Sequence, residues 1–285
     1  MKIGIHLPNA IPGVTGEAII DWSRAADEGP FSSLGVADRL HYQNMDPYIA
    51  LAAAAAVTRR IELVPAVFIT PLRSPAVFAK EAASLAVLAP GRFTLGVGVG
   101  ARSIDYETGG VDWDTRGQLL DASLAAFQAL RAPADAPQCL GPDPGDVPIL
   151  VGGASPPALR RMVEHGVGFI GGGIIPPVFA GAAGAVRQAW AAGGRDGAPR
   201  LVAGTWYAST PEVAAQGQQW RDDYFVLGGP PPPICEPIRT GADAVAEAVA
   251  GYAEGGADEI ILFPVSDDIA ELHWLAERAD DLAAL

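Results

Sequence analysis

Short apolar runs alternate along the chain with longer segments that have helical character. The predicted strands cover residues 2–7, 33–37, 61–67, 92–99, 148–151, 166–170, 200–207 and 259–263. Their apolar positions are continuous rather than alternating, which is typical of parallel strands covered on both faces. Helices are predicted to begin near Gly16, Asp46, Pro75, Thr115, Pro156, Pro177, Pro211, Gly241 and Asp267. Eight strands with helices between them in 285 residues favour a (β/α)8 TIM barrel over a doubly wound sheet.

Two segments interrupt this alternation of strands and helices. Residues 131–147 are rich in Pro, Gly and Asp and are predicted to form a surface loop. Residues 228–237 contain a run of consecutive prolines and are predicted to form a stiff connector. The strand pattern resumes after each segment, so residues 1–285 are predicted to form a single barrel domain.

The composition narrows the classes of partner. A formal net charge of −14 argues against nucleic acid, because no basic patch could offset it. The longest apolar stretch, 48–57, is too short to span a bilayer, and residues 1–8 resemble a strand rather than a signal peptide. Cys139 and Cys235 are far apart and lack metal-ligand spacing. We expect a cytoplasmic protein without a metal site that acts on small molecules.

Glycines mark the carboxyl ends of several predicted strands, where α/β barrels place their chemistry. One strand ends in Gly96, Gly98 and Gly100, with Arg102 just beyond. Missing side chains allow a flat ligand to lie against the backbone, so Gly98, Gly100 and Arg102 are candidate ligand contacts. The alternative is a crowded barrel interior that requires small residues.

A later pair of strand ends predicts a phosphate-binding site. Helix N-termini present free N–H groups and the positive end of the helix dipole to anions. The two strand ends are neighbours in the predicted barrel, at the position where barrels commonly bind phosphate. The alternative is an ordinary strand-to-helix turn with a serine cap. The residues concerned are Gly152, Gly153, Ala154 and Ser155, together with Gly171, Gly172 and Gly173.

The loop after the second predicted strand gathers polar side chains. We expect Asp38, with His41 or Tyr42, to donate or accept a proton, because polar residues at this end of a barrel strand are usually functional. A solvated loop is the alternative. His6, on the first strand, is a further catalytic candidate that points either into the barrel mouth or into the core. Residues 103–107 belong to a long predicted loop that lines a pocket or faces solvent.

Several motifs together identify a family resemblance. They include Arg73-Ser74-Pro75, Lys80-Glu81-Ala82-Ala83-Ser84-Leu85 and Gly91-Arg92-Phe93, followed by residues 95–100; residues 2–8, 46–48, 52–61 and 148–155 complete them. With these motifs the chain resembles the bacterial luciferase-like oxidoreductases. That superfamily contains flavin-dependent monooxygenases and oxidoreductases that use the deazaflavin coenzyme F420. The resemblance covers most of the chain outside residues 131–147 and the proline-rich connector.

The resemblance implies where a cofactor would lie. The tricyclic ring would cover the strand ends of a TIM barrel, with its phosphate at Gly152, Gly153 and Ser155 and the adjacent glycines. A bulge with a non-proline cis peptide between Ala66 and Val67 would support the ring from behind. The family's dimers imply a homodimer that packs residues 46–58 and 76–89.

The resemblance also implies an activity. The compact length and Asp38 favour hydride transfer between coenzyme F420 and a small organic substrate. Departures from family patterns are Arg39, where deazaflavin enzymes often carry His, and Ala101, which disfavours glucose 6-phosphate as substrate. The alternatives are a two-component FMN monooxygenase supplied with reduced flavin by a reductase, a non-catalytic flavin-binding protein, and a phosphosugar enzyme without a redox cofactor.

Overall fold

The protein forms a barrel of parallel strands in a computed structural model that describes residues 1–130, 140–225 and 235–285. The strands are β1 (Lys2–His6), β2 (Ser33–Val36), β3 (Glu62–Pro65), β4 (Phe68–Ile69), β5 (Leu95–Gly98), β6 (Ile149–Gly152), β7 (Gly168–Gly172), β8 (Arg200–Ala208), β9 (Ile238–Thr240) and β10 (Glu259–Pro264). The sheet order is β3-β2-β1-β10-β8-β7-β6-β5-β4, and β9 pairs with the outer end of β8. The predicted TIM barrel is confirmed.

Backbone hydrogen bonds between β3 and the segment before β5 close the ring. The N–H of Leu63 donates to the carbonyl of Arg92 at 2.6 Å, and the N–H of Thr94 donates to the carbonyl of Leu63 at 3.0 Å. β3 and β4 are the two halves of one broken strand, because β3 pairs with β2 and β4 pairs with β5. The described part of the chain has ten strands. Without β9, and with β3 and β4 counted as one strand, they give the eight positions of a TIM barrel.

Helices follow the strands as predicted. They are α1 (Gly16–Glu28), α2 (Pro47–Val57), α3 (Pro75–Leu88), α4 (Ser103–Gly109), α5 (Arg116–Ala129), α6 (Pro156–His165), α7 (Pro176–Ala192), α8 (Pro211–Phe225), α9 (Gly241–Glu254), α10 (Ile269–Ala276) and α11 (Ala279–Ala283). Several begin at side-chain caps: Asp46 accepts from the N–H groups of Tyr48 and Ile49, and Ser74 accepts from that of Val77. Within the described residues, none of these helices has the length and apolarity that a membrane span requires.

Apolar side chains pack on both faces of the barrel sheet, which explains the continuous apolar runs in the sequence. One cluster fills the barrel interior, and a larger one lies between the strands and the surrounding helices. Along β10, Ile261 and Phe263 belong to the interior cluster, whereas Ile260 and Leu262 belong to the outer cluster. This two-sided core fixes the strand ends from which the candidate site is built.

The structure differs from the predicted elements in several places, and α11 is a further helix that the sequence pattern did not predict. Residues 103–109 form the short helix α4 instead of a loop, β9 is an additional strand, and the third predicted strand is broken between β3 and β4. Residues 140–147 contain no helix or strand, in agreement with the predicted loop, whereas residues 131–139 lie outside the described part of the chain. The proline run of the connector also lies outside it; its last residues return to the barrel, where the N–H of Glu236 donates to the carbonyl of Gly173 at 2.9 Å.

Candidate active site

Two adjoining cavities open at the carboxyl ends of the strands. The inner cavity, of about 220 Å³, is lined by Ala37, Asp38, Ala66, Val67, Ile69, Gly100, Ala101, Gly172, Gly173, Trp206, Tyr224 and Phe263. The glycine-rich cavity, of about 460 Å³, is lined by Ala66, Val67, Gly98, Val99, Gly100, Ala101, Gly152, Gly153, Ala154, Phe169, Ile170, Gly171, Gly172, Ile174, Val178 and Ala182. Most of the predicted cofactor-binding residues therefore surround one continuous space.

The break between β3 and β4 forms the floor shared by both cavities. The peptide bond between Ala66 and Val67 is cis, which confirms that prediction. A Cβ at Gly96 would lie 1.9 Å from the carbonyl oxygen of Pro65, and one at Gly98 would lie 2.7 Å from Cγ2 of Val67. The bulge therefore requires glycine at these two positions, which supports the interpretation of a crowded interior, and ligand contact at Gly98 stays a prediction.

Six of the seven predicted phosphate-binding residues line a cavity, and Ser155 does not. Gly152, Gly153 and Ala154 line the glycine-rich cavity, whereas Ser155 is exposed at the N-cap of α6 and its side chain makes no capping bond. Gly153 has a φ of +87°, a left-handed conformation that favours glycine. The two residues after Ser155 are prolines, which lack N–H donors. The groups at this helix start that are able to donate hydrogen bonds to an anion are therefore the N–H groups of the preceding turn and the Ser155 hydroxyl.

Among the described residues, Asp38 is the one acidic side chain that lines the inner cavity. Its Oδ2 accepts a hydrogen bond from the N–H of Ile69 at 2.8 Å and lies 3.4 Å from Nη1 of Arg73. Burial raises the pKa of Asp38 to about 6, and the charge of Arg73 opposes this rise. A carboxyl group with this pKa both holds and releases a proton near neutral pH, as acid–base catalysis requires.

Asp105 anchors the loop that carries Asp38, a role that the sequence analysis missed. Its Oδ1 accepts from the N–H groups of Leu40 and His41 at 3.1 and 2.8 Å, and its Oδ2 accepts from Arg39 at 2.7 Å. Both side chains of the Arg39–Asp105 pair are buried. Arg39 also donates to the carbonyl of Tyr224, so the residue that replaces the family histidine ties the loop to α4 and α8.

His41 and Tyr42 lie in a separate space, the outer cleft. This cleft of about 830 Å³ is lined by Pro12, Leu40, His41, Tyr42, Gln43, Gln216, Gln219, Trp220 and Asp223. The Tyr42 hydroxyl donates to the carbonyl of Trp220 at 2.8 Å, and burial raises its pKa to about 12. The structure thus places Asp38 in the inner cavity and its two predicted partners in the outer cleft, with the Tyr42 and Tyr224 rings in contact between them at 5.4 Å.

His6 and Arg102 lie outside both cavities. His6 is buried in the barrel against the Phe263 ring, with its Nδ1 at 2.8 Å from the carbonyl of Leu7. Burial lowers the pKa of His6 to about 4, so it is neutral at physiological pH. Arg102 precedes α4 and donates to the carbonyl of Asp223, while its Nε and Nη1 have no hydrogen-bond partner among the described residues. Within the described residues, no cluster of metal-ligating side chains is present.

Comparison with known proteins identifies the family of this barrel. Residues 1–261 match the luciferase-like monooxygenase family. The chain belongs to this family. The match includes every strand of the barrel except the end of β10, and with it the bulge and the glycine-rich strand ends described above.

Relatives and solved structures extend the comparison. An uncharacterised protein of Mycobacterium tuberculosis is 32% identical over 181 residues, which is 58% of this luciferase-like chain and 63% of that protein. A 5,10-methylenetetrahydromethanopterin reductase of Archaeoglobus fulgidus is 25% identical over 99% of this chain and 88% of its own length.

Two solved structures share the fold over almost their whole lengths. An F420-dependent secondary alcohol dehydrogenase in complex with an F420–acetone adduct has a TM-score of 0.81 at 15% identity, covering 99% of this chain and 98% of that one. The oxygenating constituent of the 3,6-diketocamphane monooxygenase of Pseudomonas putida, in complex with FMN, has a TM-score of 0.73 at 18% identity, covering 100% and 98%. At these identities the likeness establishes the fold alone.

Proposed function

We propose that this luciferase-like protein is a coenzyme F420-dependent oxidoreductase that transfers a hydride between the deazaflavin and a small organic substrate. The observation that carries the proposal is the position of Asp38, a buried carboxyl in an otherwise apolar cavity directly beside the Ala66–Val67 bulge. A group that exchanges protons is needed where an alcohol and a carbonyl compound interconvert.

The residues of the two cavities fit a flat cofactor. Ala66 and Val67 form an apolar floor, and Gly100 and Gly172 line the cavities without contributing side chains. A Cβ at Gly172 would approach the Phe263 ring to 3.1 Å and narrow the passage between the cavities. The glycine-rich cavity extends from this floor to Gly152 and Gly153, where the cofactor phosphate would lie.

The residues of the inner cavity support hydride transfer in complementary ways. When bound, the deazaflavin would accept or donate hydride at a carbon atom where a flavin has nitrogen. Asp38 exchanges a proton with the hydroxyl or carbonyl oxygen of the substrate. Trp206, Tyr224 and Phe263 cover the opposite wall and exclude water from the reacting groups.

The two related structures support different cofactors. The F420-dependent alcohol dehydrogenase has the higher TM-score, 0.81 against 0.73 for the FMN-bound monooxygenase constituent. An alcohol or ketone also suits a cavity lined by a carboxyl group that exchanges protons near neutral pH. A two-component FMN monooxygenase, supplied by a separate reductase, is the second candidate, and the FMN-bound structure is the observation that favours it.

Turnover assays separate these functions. The purified protein is incubated without oxygen with oxidised F420 and a series of short secondary alcohols, and the loss of deazaflavin absorbance is followed. We expect the deazaflavin absorbance to fall only when both the protein and an alcohol are present. Product that forms only with reduced FMN and oxygen would contradict it, and binding of either cofactor without turnover would indicate a non-catalytic flavin-binding protein.

Ser155→Ala tests the phosphate-binding site. We expect the variant to bind F420 more weakly by about 1–2 kcal/mol, the scale of a hydrogen bond to a charged group. Because the Ser155 side chain does not cap α6, the melting temperature is expected to remain unchanged. Isothermal titration calorimetry measures the affinity, and equal affinity in the variant and the original protein would remove Ser155 from the site.

We also propose a homodimer that packs α2 and α3. Ile49, Val77 and Leu88 are large apolar residues that α2 and α3 expose to solvent. Val77 and Leu88 are eleven residues apart, which is about three helical turns, so they share one face of α3. Multi-angle light scattering at micromolar concentration is expected to give the mass of a dimer, and Val77→Lys is expected to shift it towards a monomer. A monomeric mass for the unaltered protein would overturn this assembly.

A further inference from the structure

Arg73 connects the candidate catalytic carboxyl with the surface of the barrel. Its Nη1 lies 3.4 Å from Oδ2 of Asp38, its Nη2 lies 2.7 Å from Oδ2 of Asp46, and its Nε lies 3.3 Å from Oε2 of Glu81. The Asp38 side chain is 3% exposed, whereas those of Asp46 and Glu81 are 47% and 39% exposed. Each nitrogen of one guanidinium therefore faces a different carboxylate, one inside the site and two at the surface.

Aromatic stacking fixes the guanidinium in this position. The Arg73 guanidinium lies over the Tyr48 ring at 4.1 Å, and that ring also stacks parallel on Phe68 at 3.8 Å. Asp46 is also fixed, because its Oδ1 caps α2 by accepting from the N–H groups of Tyr48 and Ile49. Arg73 cannot turn fully towards Asp38 without leaving both the ring and Asp46.

The charges around Asp38 do not balance. One guanidinium faces three carboxylates, and its shortest contact is with Asp46 rather than with Asp38. The other charged group that acts on Asp38 is Asp105, and the phenol of Tyr224 lies 3.4 Å from the Asp38 carbonyl. Burial raises the pKa of Asp38, Arg73 lowers it, and Asp46 and Asp105 raise it further. Asp38 therefore receives only part of the stabilisation that a dedicated arginine would give its carboxylate.

We propose that Arg73 is a positioning residue for Asp38, and that Asp46 and Glu81 act through Arg73 on the protonation state of Asp38. The idea rests on the proposed function only in taking Asp38 as the group that exchanges protons. Neutralising either surface carboxylate leaves more of the arginine charge to Asp38 and favours its ionised form. Removing the arginine charge has the opposite effect.

Conservative variants separate this role from a structural one. Asp46→Asn retains a side-chain oxygen that can cap α2, and asparagine is as good an N-cap residue as aspartate. Glu81→Gln keeps the shape of the side chain. Asp21→Asn, on the exposed face of α1, is the matched control, because Asp21 forms an exposed pair with Arg24 at 3.8 Å. None of these substitutions changes a residue that lines the inner cavity.

Carbon-13 NMR titration of the aspartate carboxyl signals is the direct test, made on the full chain without cofactor. The signal of Asp38 is assigned by its absence from Asp38→Asn. We expect Asp46→Asn and Glu81→Gln each to lower the pKa of Asp38 by about 0.5–1 unit, and Arg73→Gln to raise it by about 1 unit or more. Arg73→Lys, which retains a charge, is expected to partly restore the original value, and Asp21→Asn to leave it unchanged.

The proposal requires the pKa of Asp38 to fall in the two surface variants and to rise in Arg73→Gln. Unchanged titration of Asp38 in both surface variants, or a shift in the same direction for the surface variants and Arg73→Gln, would overturn it. If Arg73→Gln does not fold, Asp46→Asn and Glu81→Gln decide the outcome. The titration requires neither cofactor nor substrate, so its outcome is independent of the turnover assays. The predicted pKa shifts would support the role of Arg73 even if the turnover assays contradicted F420 chemistry. Unchanged pKa values would overturn that role even if the turnover assays succeeded.

Discussion

Asp38→Asn is expected to lower kcat by about 10²- to 10⁴-fold, the usual contribution of a positioned acid or base. Asparagine occupies the same volume and still accepts the hydrogen bond that the N–H of Ile69 donates to Asp38. It cannot take up a proton from the substrate hydroxyl. The dissociation constant of the cofactor is therefore expected to change little, which separates a catalytic role from a binding one.

The pH dependence of the unaltered protein provides the control for this variant. The pKa of Asp38 is raised to about 6, so the carboxylate that accepts a proton during alcohol oxidation is fully present only above that pH. The rate of oxidation is expected to rise as pH increases through about 6 and then to level off, and this rise is absent in Asp38→Asn. A variant with normal kcat, or with the same pH profile as the unaltered protein, would exclude Asp38 from the chemistry.

Asp105→Ala is expected to destabilise the protein by about 3–5 kcal/mol, because it removes one partner of a buried ion pair. The substitution leaves the Arg39 guanidinium buried without its carboxylate. It also removes the hydrogen-bond acceptor of the N–H groups of Leu40 and His41. Asp105→Asn keeps an acceptor for these N–H groups, so its free energy of unfolding is expected to fall by less than that of Asp105→Ala. Urea unfolding followed by circular dichroism measures the free energy of unfolding of each variant.

Asp114→Ala is the matched control for this experiment. Its side chain is 92% exposed and lies 3.9 Å from Arg116, so the expected change in the free energy of unfolding is within about 0.5 kcal/mol. If Asp105→Ala were as stable as Asp114→Ala, the loop that carries Asp38 would be held by other contacts. In that case the Arg39–Asp105 pair would not be the contact that holds this loop on α4.

Much of the fold was predictable because parallel strands leave a local signature. Continuous apolar runs and prolines or caps at helix starts identified the strand order and nearly all helices, including α6, which begins at Pro156 as predicted. The ends of strands were less predictable where they depend on pairing with a strand that is distant in sequence. β5 begins at Leu95 rather than at residue 92, because Phe93 bridges to Leu63 at the point where the barrel closes.

The candidate site was predictable only where its signal is local. Gly152, Gly153 and Gly172 belong to short motifs at strand ends, and all of them line the cavities. Asp105 meets Arg39 across 66 residues of chain, and Arg73 meets Asp38 across 35, so neither contact leaves a pattern in the sequence. Closeness in sequence does not fix closeness in space either: His41 and Tyr42 are close to Asp38 in sequence, but the loop places them in the outer cleft.

Equilibrium titration of the purified protein with F420 and with FMN tests the proposed function most directly. Cofactor fluorescence is followed as protein is added, and the two dissociation constants are compared under the same conditions. The F420-dependent oxidoreductase that we propose binds the deazaflavin more tightly than FMN. A clear preference for FMN would contradict this function and support a two-component monooxygenase instead.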